Sequence, residues 1–148
     1  MTPLDLTQHP PRSCRVELDG IAYVPRAIDK VRASLPGGNL GSYLILAEGI
    51  RTVSSLFYYR MGITHEEFTE AVRDAETEAD VAAWLRPRID DEKIAKWHKQ
   101  ILELRMCDIP SPAREAVYAN HPGAATMPDS THLVDVFDAD DAALFAKT

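Results

Sequence analysis

Arg26, Asp29 and Lys30 stand three and four residues apart in Val24–Leu35, and Tyr43 follows after a glycine-rich exit. A guanidinium fork beside an ammonium is the pairing that grips a phosphate or carboxylate. Arg12 and Arg15 lie upstream in a proline-rich arm and could fold back toward the same place. The competing account is internal: Asp29 would pair with Arg26 or Arg32, three residues to either side, for ~0.2–0.5 kcal/mol on an exposed face. The helical spacing of Val24, Ile28, Val31 and Leu35 assigns the core side to those residues. It therefore places Arg26, Lys30 and Arg32 on the exposed side. Tyr43 serves either as a site hydroxyl or as a packed aromatic.

Other combinations carry less. Pro36-Gly37-Gly38-Asn39-Leu40-Gly41 leaves a helix instead of opening one and has no Gly-Lys-Ser/Thr, so it predicts a helix stop and not a phosphate loop. The histidines form no i,i+4 pair, and His132 with Asp135 would need a distant partner to hold a metal. Asp138, Asp140 and Asp141 lack the glycine and terminal glutamate of a calcium loop, which predicts a solvated acidic tail. No Ser-His-Asp or Cys-His grouping emerges from order alone. Neither a cofactor nor a metal is implied.

The elements that must position these residues are mostly helical. Thr2–Arg15, with Pro3, Pro10 and Pro11, reads as an extended arm. Val16–Tyr23 around Asp19-Gly20 fits a small hairpin, or an irregular loop laid over the helices, with the loop slightly preferred. Pro25 suits a first helical turn. Tyr43–Ala47 is either helix or buried strand. Helical spacing returns at Val53, Leu56, Phe57 and Met61. Thr64 and Glu67 form a capping box flanked by Ile63 and Phe68. Thr77 opens a helix carrying Val81, Trp84 and Leu85, and Asp90 or Asp91 opens the longest one, with Ile94, Trp97, Ile101 and Leu104 inward. Ser111-Pro112 starts another through Tyr118. The segment 131–137 is drawn either as a helix capped by Thr131 or as a strand. The expected fold is mainly α: a compact bundle of about six helices with an irregular N-terminal arm and a minor hairpin as an option, in one domain over 1–148 with 1–22 packed on it.

A chain of 148 residues can bury a substantial core without staples. A net charge of −7 disfavours nucleic-acid coating but leaves room for a local anion site. The two cysteines, Cys14 and Cys107, show no metal or redox spacing and predict free thiols in a reducing compartment. There is no signal-like or membrane-length apolar run, so a cytoplasmic location is expected.

The pattern Pro11-Arg12-Ser13 with Arg15, Tyr23-Val24-Pro25-Arg26, Ile28-Asp29-Lys30, Arg32-Ala33, Leu40-Gly41 and Tyr43 resembles a family of small bacterial proteins known as DUF5069. The resemblance continues through Gly62-Ile63, Phe68, Ala82–Trp84, Ile94–Trp97 and Phe137-Asp138. It departs in Leu44–Arg60, where Ala47-Glu48-Gly49-Ile50 replaces a proline-leucine-aspartate turn. It implies a family and no activity.

Two functions fit these residues. One is a binding or interaction module without catalysis, working through its surface as a homodimer or with a protein partner. The alternative is a protein or enzyme for an anionic small molecule, with Arg26, Asp29, Lys30 and Tyr43, joined by Arg12 and Arg15, converging on one cavity. No membrane partner is expected, and nucleic acid is disfavoured.

Overall fold

The computed structural model describes residues 1–146. After the arm, β1 (Glu17–Leu18) and β2 (Ile21–Ala22) pair antiparallel across Asp19-Gly20, with Glu17 opposite Ala22 and Leu18 opposite Ile21. The hairpin thus forms, in place of the irregular loop. Both turn residues take positive φ, 51° at Asp19 and 76° at Gly20, the backbone hand that suits a two-residue hairpin. Seven α-helices follow among the described residues: α1 (Val24–Ser34), α2 (Val53–Met61), α3 (His65–Asp74), α4 (Glu78–Leu85), α5 (Asp91–Glu103), α6 (Ala113–Asn120) and α7 (Leu133–Leu144).

Local signals account for most helix ends. The Thr64 hydroxyl accepts from the Glu67 N–H while Glu67 accepts from the Thr64 N–H, closing the capping box of α3. The Asp90 carboxylate accepts from the Lys93 N–H at 2.8 Å to start α5. After α1 the chain turns through Gly37 at φ 89°. A β-carbon on Gly38 would lie 2.5 Å from the Ala33 carbonyl oxygen, so this exit packs too tightly against α1 for a side chain.

Three local details depart from expectation. Tyr43–Ala47 is neither helix nor strand; Ile45 is buried while Leu44 and Leu46 are exposed, so alternation exists without a partner strand. The C-terminal segment is a helix, as one alternative had it, but His132 and not Thr131 stands at its first flanking position, without a side-chain cap, and it runs on through the aspartates to Leu144. Ser111 likewise does not cap α6, whose first flanking residue is Pro112.

One connected core joins these elements. Trp97 and Tyr23 are completely buried, and Phe57 sits between them, its ring 5.4 Å from each. The Trp97 indole N–H donates to the Ala22 carbonyl at 2.9 Å, and the Ala22 N–H donates to His98 Nε2 at 3.0 Å. The hairpin is therefore pinned to α5 from both backbone groups of one residue, which fixes the start of α1. His98 has a structural task, with Nε2 as the acceptor and the ring proton on Nδ1.

Candidate functional site

The first helix is not half-exposed. Arg26, Asp29 and Lys30 are buried alongside Ile28 and Val31, with Arg26 only 3% exposed. Periodicity located the apolar side correctly, but the polar side is covered by the arm, the 43–45 segment and α7. The placement of Arg26 and Lys30 on an exposed face is therefore corrected; Arg32 is only partly buried and donates to the Thr2 carbonyl.

Buried charge must be matched, and each member of the group finds a different answer. Arg26 Nη1 donates to Asp141 Oδ2 at 2.8 Å and to the Arg12 carbonyl at 3.1 Å. The other oxygen of Asp141 accepts from the Tyr43 hydroxyl at 2.8 Å, and the Arg26 guanidinium lies 5.7 Å from the Tyr43 ring centroid. Tyr43 thus acts as both hydroxyl and packed ring. Burial, followed by the bond to Asp141, raises its pKa above the ordinary phenol value.

Asp29 pairs with neither Arg26 nor Arg32. Its partner is Arg12: the Arg12 N–H and Nε reach Oδ2 at 2.9 and 3.0 Å, and Nη2 reaches Oδ1 at 2.9 Å. Arg12 also touches Glu78 at the start of α4. The Asp29 bond, set against partial burial, holds the Arg12 guanidinium charged well above its ordinary pKa. This bidentate clamp ties the arm to α1 and α4 and engages both oxygens of Asp29. Arg15 does not fold back to the group; it pairs with partly buried Asp135 at 2.9 Å.

Lys30 is the exception to pairing. Among the described residues its Nζ makes one hydrogen bond, to the Leu44 carbonyl at 2.9 Å, and no ion pair. Burial and then the Arg26 charge push its pKa down from 10.5 to about 7, against weaker opposing pulls from Cys14 and Asp141. Cys14 lies in the same cluster, completely buried, with its thiol pushed up to about 11 by burial. It is a free thiol, as is exposed Cys107, and it packs in the core without a thiolate's reactivity.

Arg26 and Lys30 line the buried side of a partly open cavity of about 720 Å³ between α1, the 44–53 segment, α2, α5, α6 and α7, to which Arg51, Asp108 and His121 also contribute. Its walls are largely apolar, with Leu56, Leu104, Ile109, Val117, Leu133 and Phe137 among them. Asp29, Arg12, Arg15 and Tyr43 do not line it. The expected six-residue convergence reduces to two lining side chains, with Tyr43 behind them bracing the Arg26 counter-ion. Cavities of this size and makeup are typical of small-molecule sites. A smaller, more open hollow of about 430 Å³ lies across α3 and α4 and is ringed by Glu67, Glu70, Asp74 and Asp80. It contains none of the buried charge.

Asp141 is the residue that sequence reasoning missed. Its sequence neighbourhood predicts a solvated acidic tail, yet it is buried on α7. The signal was present: Val134, Phe137 and Asp141 fall at i, i+3 and i+7, so this aspartate is in phase with the apolar stripe. His132 and Asp135 approach only to 3.9 Å, and among the described residues no group of three or more ligating side chains could hold a metal.

Fold and site together define a helical protein with a largely apolar cavity that Arg26 and Lys30 line from α1. The chain belongs to the DUF5069 family, a domain of unknown function whose model matches residues 8–143. That span takes in every residue of the charged cluster. No curated protein matches the chain. Among the described residues no helix is long and apolar enough to cross a membrane.

Proposed function

We propose that this protein binds an amphiphilic small anion, its acidic head at Arg26 and Lys30 and its apolar body along the cavity. The observation behind this reading is that cavity, about 720 Å³ with largely apolar walls, lined by Arg26 and Lys30 one turn apart on α1. Arg26 engages the protein through Nη1 alone; among the described residues Nε and Nη2 meet no acceptor. Those donors and the remaining Nζ hydrogens of Lys30 suit the two oxygens of a carboxylate or phosphate. An arriving anion would raise the Lys30 pKa, so binding above pH 7 draws in a proton. The chemistry requires no catalytic step.

Calorimetric titration with straight-chain carboxylates of six to ten carbons and the matching alcohols tests the reading. Each added methylene should tighten binding by about fourfold until the cavity is filled, because burying one is worth ~0.8 kcal/mol. The acids should bind more tightly than the alcohols, and at pH 8 their heats should vary with buffer ionisation enthalpy. Equal affinity for acid and alcohol, or none for either series, would overturn it.

A further inference from the structure

The two cations that α1 contributes to the cavity differ in a way that simple anion binding does not require. Arg26 is held rigidly by Asp141 and the Arg12 carbonyl, whereas Lys30 has no carboxylate partner and one carbonyl contact among the described residues. An amine used only as a charge would be better served by a counter-ion or by water. Here the amine is instead buried, lines a cavity, and sits one helical turn from a guanidinium with open donors. We propose that Lys30 is a covalent amine centre, whose Nζ condenses with the keto carbon of an apolar 2-oxo acid while Arg26 holds the adjacent carboxylate.

The i,i+4 spacing sets the two groups side by side on α1, which matches a substrate whose carboxylate and carbonyl carbons are directly bonded. Leu56, Val117 and Phe137 offer its side chain an apolar wall. In the step, the Nζ lone pair attacks the carbonyl carbon and the C–N bond forms as the C=O π pair moves to oxygen. The two hydrogens of the amine leave with that oxygen as water, giving a neutral imine with no further co-reactant. The groups acting on the amine are Arg26 on its own helix, Cys14 on the arm and Asp141 on α7, and together with burial they bring its pKa to about 7. A useful fraction of it is therefore unprotonated near neutrality. The inference rests on the anion-binding reading of the same cavity.

The test is reductive trapping with 4-methyl-2-oxopentanoate and cyanoborohydride at pH 7, read by intact mass and peptide mapping. One adduct is expected, heavier by the mass of the ligand less one oxygen and located on Lys30. Labelling there should outpace that at Lys93, Lys96 and Lys99, which do not line the cavity, on the order of a hundredfold. Its rate should rise with a midpoint near pH 7, and Lys30→Met should abolish it. Calorimetry with 4-methylpentanoate, which has no keto group, runs alongside. If the acid binds but trapping spreads over the three α5 lysines or fails at Lys30, the covalent role is wrong and the binding reading stands. If the acid gives no heat and no adduct forms, both fall.

Discussion

Replacing Lys30 with methionine should make the protein more stable, and by an amount that depends on pH. The folded state lowers the pKa of Lys30 from 10.5 to about 7, chiefly through burial. Between those values the unfolded chain binds more protons than the folded one, so stability rises with pH across the window. Above the unfolded value the lysine imposes no ionisation cost. As pH falls toward about 7 the cost grows to roughly 5 kcal/mol and then levels off. Methionine has similar reach, carries no charge, and leaves only the Leu44 carbonyl without its donor, a pH-independent loss of about 1 kcal/mol. The gain of Lys30→Met over the parent should therefore be larger at pH 6 than at pH 8.5 by about 2 kcal/mol. Urea unfolding of both proteins at pH 6, 7 and 8.5 measures that difference directly. The series stops there because the Cys14 thiol, raised from 9.0 to about 11, withdraws stability at higher pH, in the opposite sense. A difference between the two proteins that is flat with pH would refute the account, since Nζ would then keep its aqueous pKa in the fold.

Two further outcomes follow from the same geometry. Asp141→Asn should cost about 3–5 kcal/mol in urea unfolding by leaving the Arg26 charge buried without a counter-ion, and adding Arg26→Met should restore a large part of it; independent, additive losses would dissolve the pair. Gly38→Ala should cost about 1–3 kcal/mol, because its β-carbon meets the Ala33 and Arg32 carbonyl oxygens at 2.5 and 2.8 Å, and an unchanged unfolding midpoint would show that the exit from α1 can relax.

Much of this molecule is legible along the chain because its signals are local. The capping box at Thr64 and Glu67, Asp90 at the start of α5, Pro25 inside α1 and the glycine stop at Pro36–Gly38 act within one turn of backbone, and each appears where the residue types place it. The apolar stripes of α1 and α5 are legible for the same reason, since 3.6-residue periodicity needs no knowledge of the partner. What covers a polar face is a different kind of fact. Arg26 and Lys30 have the spacing of a solvated face, and they are buried because the arm, the 43–45 segment and α7 close over them. Their bonds to Asp141 and the Leu44 carbonyl span 115 and 14 residues, and the Arg12 clamp on Asp29 spans 17.

The sequence by itself determined the helical class, most helix starts, the family and the short list containing Arg26, Lys30 and Tyr43. Only the tertiary structure decided which of them meet. It turned an acidic tail residue into the Arg26 counter-ion, tied Arg15 and Asp29 to other partners, and left Lys30 without a carboxylate partner among the described residues, against a largely apolar cavity. The physical reason is that pairing and desolvation depend on distances between segments remote in the chain, whereas propensity, capping and periodicity are properties of neighbours.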